Sequence, residues 1–100
     1  NKILEESGIK KIIDEKKDDL LKMIKEKNPA SAYDAEMVIA TVMEELPKHY
    51  PDLIEHLKQG AFYVGADLDA VLFVGSIYLR NLIFKDLGFG LDDLDQAKKF

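Results

Sequence analysis

An almost uninterrupted apolar run constrains the fold of this chain more than any other feature. The segment from Ala70 to Leu79 contains one polar side chain, that of Ser76, and it lies inside a longer stretch bounded by Gly60 and Gly88. Aromatic and β-branched residues in this stretch favour a buried strand, whereas its length favours a buried helix, and periodicity alone does not separate the two.

Residues that favour helix ends flank the run and decide between these alternatives. Asp67 is placed to cap the first turn through its carboxylate, and Gly88 is placed to take a left-handed conformation after the last turn. The sequence therefore predicts a helix from about Leu68 to Leu87. Because this helix is apolar nearly all round, we expect it to be buried at the centre of the domain. Charged residues keep its apolar run well below the about 20 residues that a membrane span needs.

Proline, glycine and capping residues mark the expected ends of further helices along the rest of the chain. The expected segments are a charge-dense amphipathic helix over Ile9–Lys27, a helix from Ser31 to Leu46 closed by Pro47, a helix from Pro51 ended by Gly60, and a short helix over Asp92–Lys99. Short connections between such segments predict an all-α fold, a compact bundle of four to five helices around the central one. We expect a single domain over residues 1–100, with an N-terminal charged helix (1–27) and a helical body (28–100).

The net charge and the cysteine content limit the functions and the cellular compartments that fit this sequence. The net charge is −5, which argues against sequence-independent binding to nucleic acid, because such binding depends on neutralising phosphates. The body carries this negative charge, whereas residues 1–27 are nearly balanced; an acidic body suits a basic protein partner, although ordinary solubility explains it as well. The sequence contains no cysteine, and its charged N-terminal residues do not resemble a signal peptide. We therefore expect a cytoplasmic protein.

Catalytic and metal-binding motifs are sparse. His49, Asp52 and His56 have a spacing that one helix face would bring together, so they are weak candidates for a metal site. Pro51 argues against this arrangement, because a helix that starts there leaves His49 outside it. Hydroxyl residues lack a neighbouring base, and Ser76 lies mid-helix, where it can bond the preceding turn. We expect no enzyme activity and no cofactor.

Aromatic residues are unevenly distributed, with eight of the nine at position 50 or later. The simplest explanation is a core built from bulky side chains. A sharper hypothesis is that so small a domain leaves an apolar patch for another chain. The candidate patch residues are Phe62, Tyr63 and Phe89, together with Ile9, Ile13 and Leu20 on the apolar stripe of the first long helix.

A pocket inside the bundle is the alternative hypothesis. Gly65 and Gly75 can leave space between helices for an apolar ligand, and Arg80 would then anchor a carboxylate headgroup. An ion pair with an acidic neighbour is the plainer explanation of Arg80. The sequence thus predicts a non-enzymatic protein–protein interaction module, an adaptor, regulator or inhibitor of a protein partner or a homodimer. The alternative is a small-molecule sensor or carrier with an apolar pocket against the central helix.

Overall fold

The computed structural model describes residues 2–89, and within this range the chain is all-α. The predicted helix over Asp92–Lys99 lies outside the described residues. The elements are α1 (Lys2–Glu6), α2 (Ile9–Glu26), α3 (Ala32–Glu44), α4 (Leu46–His49), a 3-10 turn (Pro51–Leu53), α5 (Ile54–Tyr63) and α6 (Leu68–Leu87). The helical bundle predicted from the sequence is therefore confirmed.

The central helix has the predicted boundaries and caps. Asp67 accepts a hydrogen bond at Oδ1 from the backbone N–H of Ala70 over 2.8 Å, which satisfies one free donor of the first turn. At the other end Gly88 takes a φ of 79°, in the left-handed region that glycine tolerates without strain. These two residues fix α6 at Leu68–Leu87.

Helix α6 holds the bundle together, since it contacts α1, α2, α3 and α5. Its buried stripe follows a spacing of about four residues through Val71, Gly75, Leu79 and Ile83. The helix is central as predicted, but it is not buried on every side, because Phe73 is 66% exposed and Ile77 is 38% exposed. The apolar run of α6 therefore forms two sides of the helix, one packed in the core and one facing outward.

The directions of the long helices follow from contacts between them. Ile9 and Ile13 of α2 lie against Gly75, and Tyr78 donates its hydroxyl to Asp14 over 2.6 Å, so α2 runs parallel to α6. Glu36 near the start of α3 pairs with Arg80 late in α6, so α3 runs antiparallel to α6.

Helix α3 begins as the sequence predicts and ends earlier. Ser31 caps it, accepting at Oγ from the backbone N–H of Asp34 over 3.2 Å. The helix stops at Glu44, and Pro47 falls inside the short helix α4 instead of closing the longer one. Proline is tolerated there because the first turn of a helix needs no N–H from it.

The prediction that Gly60 ends a helix is wrong, because α5 continues through it to Tyr63. A Cβ atom added to Gly60 would collide with the backbone carbonyl of Ser7. This glycine is therefore explained by the close approach of α5 to the turn between α1 and α2, and not by helix termination. Within residues 2–89 no single helix is long and apolar enough to cross a membrane; only Pro51–Tyr63 and Leu68–Leu87 taken together meet that test, and they are bent by 98°.

Candidate interaction surface

Four large apolar side chains lie exposed on α3 and α6, the pair of helices in closest contact. The exposed fractions are 47% for Tyr33, 55% for Met37, 66% for Phe73 and 38% for Ile77. We call this the α3–α6 surface. Isolated exposed apolar residues are normal on proteins, but several that share one face are typical of a binding site.

A shallow groove runs between the two helices along this surface. One part of the groove has a volume of about 290 Å³, and its lining residues are Glu36, Met37, Ile39, Ala40, Phe73, Ser76, Ile77 and Arg80. A wider hollow of about 440 Å³ continues it toward the start of α6, where Glu44 and Asp69 join the lining. Ala40, Phe73 and Ser76 line both parts, so they mark the middle of the surface.

Arg80 closes one end of the groove and makes the ion pair that the plainer sequence interpretation expects. Its Nη1 donates to Oε1 of Glu36 over 3.1 Å, and both side chains are mostly buried, with 23% and 29% exposed. The Nε atom of Arg80 is buried without a hydrogen-bond partner. Glu36 therefore uses part of the guanidinium, whose five N–H groups can serve more than one acceptor.

Three of the patch residues predicted from the sequence lie in the core. Ile9 and Ile13 are fully buried and Leu20 is 1% exposed, because the apolar stripe of α2 packs within its own chain. Their inclusion in an interaction patch is therefore wrong. Phe62 and Tyr63 are exposed at 87% and 72%, as a patch requires.

Phe89, the remaining patch candidate, is half-buried. Its ring meets that of Phe84 edge to face, with 5.8 Å between ring centroids. Because Phe84 itself belongs to the core, Phe89 serves mainly to tie the end of α6 to the body.

The space proposed for an apolar ligand at Gly75 is filled. A Cβ atom on Gly75 would lie 2.8 Å from Cγ1 of Ile9 and 3.0 Å from Cε of Met43. Gly65 lies in the exposed turn between α5 and α6, where its φ of 72° explains the glycine. Neither glycine opens a pocket inside the bundle.

The weak metal candidates do not converge. His49 is the last residue of α4, and its Nε2 atom lies 3.7 Å from Oε2 of Glu45. His56 belongs to a different helix, α5. Across residues 2–89, no group of three histidine or carboxylate side chains is arranged to hold a metal. Ser76, the mid-helix hydroxyl, donates to the carbonyl of Phe73 over 2.6 Å, as its position predicts.

Two tyrosines join the body to the charged helix α2. The hydrogen bond from Tyr78 to Asp14 raises the pKa of the tyrosine, and burial adds to the shift. Burial, followed by the negative charge of Asp19, raises the pKa of Tyr50. The Nζ atom of Lys10 lies 5.9 Å from the ring centroid of Tyr78. The Nζ atom of Lys16 lies 5.1 Å from the ring centroid of Tyr50. The exposed residues of α2 are all charged.

The α3–α6 surface was not predicted, although the sequence holds a signal for it. Tyr33 and Met37 are four residues apart and lie off the apolar face formed by Ala35 and Ile39. Residues four apart share a helix face, so they define a second apolar stripe on α3. Only the antiparallel packing shows that this stripe lies beside the exposed residues of α6.

Comparison with protein-family models, curated proteins and solved structures found no significant match to this chain.

Proposed function

We propose that this chain is a non-enzymatic protein–protein interaction module that binds its partner through the α3–α6 surface. The observation that carries the proposal is the exposure of Phe73 and Met37 on either side of one groove. Binding of another chain over clustered, exposed apolar side chains is favourable, because burial lowers the free energy by about 25 cal/mol for each Å² of apolar surface removed from water. The acidic, cysteine-free sequence fits such a role in the cytoplasm.

This surface supports the proposal better than the pair Phe62 and Tyr63 does. Neighbouring residues on a helix point in directions about 100° apart, so two adjacent aromatics do not form one face. The α3–α6 surface instead draws on two helices whose relative position is fixed by the Glu36–Arg80 ion pair and by the core beneath. Well-positioned apolar anchors are characteristic of protein interfaces.

Site-specific photo-cross-linking in the native host tests the proposal. A photoreactive phenylalanine analogue at Met37 is expected to give a discrete adduct with another protein chain. The matched control places the analogue at Glu15, an exposed residue on the charged face of α2. Adding Phe73→Ser should reduce the adduct at position 37, because it removes the largest apolar contact. Equal cross-linking at positions 37 and 15 would contradict the proposal.

The second candidate function is binding of a small apolar carboxylate in the groove. It is favoured by the position of Arg80 beside Met37 and Ile77 in the lining, and opposed by Glu36, which already accepts from the guanidinium. Decanoate is a suitable probe. If the groove binds it, decanoate should raise the thermal midpoint of the wild-type protein and leave that of Arg80→Met unchanged; equal responses exclude Arg80 as the anchor.

A further inference from the structure

One face of α6 leads from the groove to Phe89, the last residue that the structure describes. Phe73 and Arg80 line the groove, and Phe84 follows Arg80 by four residues, so all three lie along the same face of the helix. Phe89 folds back onto this face, because its N–H donates to the carbonyl of Phe84 over 2.8 Å and the two rings are in contact. The chain that follows Phe89 therefore starts about 6 Å, or one helical turn, beyond the Arg80 end of the groove.

Residues 90–100 have the sequence of a short amphipathic helix. In the helix predicted over Asp92–Lys99, the apolar residues Leu91, Leu94 and Ala97 are three positions apart and share one face. Lys98 flanks that face. The opposite face carries three acidic residues, which are Asp92, Asp93 and Asp95. The sequence of this segment therefore predicts one apolar face that needs a partner surface and one charged face suited to water.

The length of the segment matches the length of the groove. Two extended residues followed by a helix carry the chain about 16 Å from Phe89 to Lys98. Along α6, Phe84 and Phe73 are also about 16 Å apart. Lys98 can therefore reach the level of Phe73, where Glu44 forms the opposite wall of the surface.

The charges of the groove match a basic residue at that end. Glu44 and Asp69 are both exposed there, and neither makes an ion pair within residues 2–89. At the other end, Arg80 is already paired with Glu36 and requires no further charge. Lys98 supplies the cation that the acidic end lacks, so the segment is complementary to the groove in one direction only.

We propose, resting on the interaction function above, that residues 90–100 bind the α3–α6 surface of their own chain as a helix antiparallel to α6. Ala97 then lies beside Ala40 in the middle of the groove, and Lys98 lies beside Glu44. A connection of two residues gives the segment an effective concentration of about millimolar at the surface. A protein partner must therefore displace the segment, which lowers the apparent affinity of the partner and regulates binding.

Pairs of cysteines test this arrangement, because the chain has none of its own. Ala40→Cys combined with Ala97→Cys is expected to form a disulfide within one chain under mild oxidation, since the proposed packing brings the two Cβ atoms to about 4 Å. The matched control combines Ala40→Cys with Gln96→Cys, on the opposite face of the predicted helix, and should stay reduced. Non-reducing electrophoresis and intact mass identify the products.

Two results of this experiment overturn the proposal. Oxidation that is equal in the two pairs, or absent from both, shows that the segment does not lie in the groove with the assigned face inward. A disulfide-linked dimer of the Ala40→Cys and Ala97→Cys variant shows that the surface is covered by the segment of a second copy.

Reversing charges tests the direction of the segment. In the variant that carries cysteines at positions 40 and 97, Lys98→Glu is expected to slow disulfide formation, because it sets a carboxylate beside Glu44. Adding Glu44→Lys should restore the rate. A rate that responds to neither substitution overturns the pairing of Lys98 with Glu44.

Photo-cross-linking from position 37 distinguishes failure of this proposal from failure of the interaction function. Leu94→Ser weakens the hold of the segment and is expected to raise the adduct with another protein about threefold or more, because a larger fraction of the surface is then free to bind. An unchanged adduct with another protein overturns the segment as a competitor and leaves the interaction function standing. No adduct with another protein in either chain, together with the disulfide between positions 40 and 97, overturns the interaction function and leaves the segment as the occupant.

Discussion

The backbone of Gly60 in α5 lies directly against the carbonyl group of Ser7, between α1 and α2. Alanine normally stabilises a helix interior by about 1 kcal/mol relative to glycine. Here we expect the opposite: Gly60→Ala should lower the free energy of unfolding by about 2 kcal/mol, because the methyl group forces two backbones apart. Urea denaturation measures this.

The control for Gly60→Ala is Gln59→Ala, an exposed position one residue earlier in the same helix. It should leave stability unchanged or raise it slightly. If Gly60→Ala is as stable as the wild-type protein, α5 does not approach Ser7 as closely as described.

A second prediction concerns the contact of three helices at Gly75. Gly75→Ala should cost about 1–3 kcal/mol, since the new methyl group meets Ile9 and Met43 in a packed core. Adding Ile13→Val, which removes the Cδ1 atom that would lie 3.2 Å from the added Cβ atom, should restore part of the loss. A double-mutant cycle measures the coupling, and strictly additive effects would argue against direct contact.

A third prediction concerns the ion pair between Glu36 and Arg80. Both side chains keep some solvent contact, so we expect a coupling free energy of only about 1 kcal/mol. The cycle would compare Glu36→Gln, Arg80→Met and the double variant. The coupling should fall at high salt, because counter-ions screen partly exposed charges. A coupling that does not respond to salt would indicate packing, and not charge, as its source.

A fourth prediction concerns pH and Tyr78. The hydrogen bond to Asp14 stabilises the protonated phenol, so the pKa of Tyr78 is higher in the folded state than in the unfolded state. The folded state therefore binds this proton more tightly, and the stabilisation is full below the unfolded pKa of about 10 and is lost as the pH rises through the folded value.

Denaturant unfolding at several pH values checks this by comparing the wild-type protein with Tyr78→Phe. The advantage of the wild-type protein, about 1 kcal/mol for an accessible hydrogen bond, should be constant below pH 10 and shrink above it. An advantage that grows above pH 10 would contradict a raised pKa of Tyr78 in the folded state.

Local signals in the sequence predicted most of the fold. Asp67, Gly88 and Ser31 act through their own side chains or backbone on the adjoining turn, so their effects are readable without the rest of the chain. Gly60 was misread because glycine both ends helices and permits close packing. Only the tertiary contact with Ser7 separates these two roles.

The candidate surface depends on long-range packing, which the sequence does not display. The sequence does not distinguish an apolar stripe that packs within its own chain from one that meets a partner, and the stripe of Ile9, Ile13 and Leu20 is of the first kind. Phe73 is the reverse case, an exposed residue within a run that is expected to be buried. A continuous run of apolar residues does not indicate which side of the helix faces outward.

The contact at Gly75 connects the charged helix α2 to the two helices that form the α3–α6 surface. Ile9 and Ile13 reach the backbone of α6 there, and Met43 arrives from α3. The spacing between the two walls of the groove is thus set partly by Ile9 and Ile13, which line neither part of the groove. A substitution at Ile9 or Ile13 is therefore expected to change the shape of the groove without altering any residue of the α3–α6 surface.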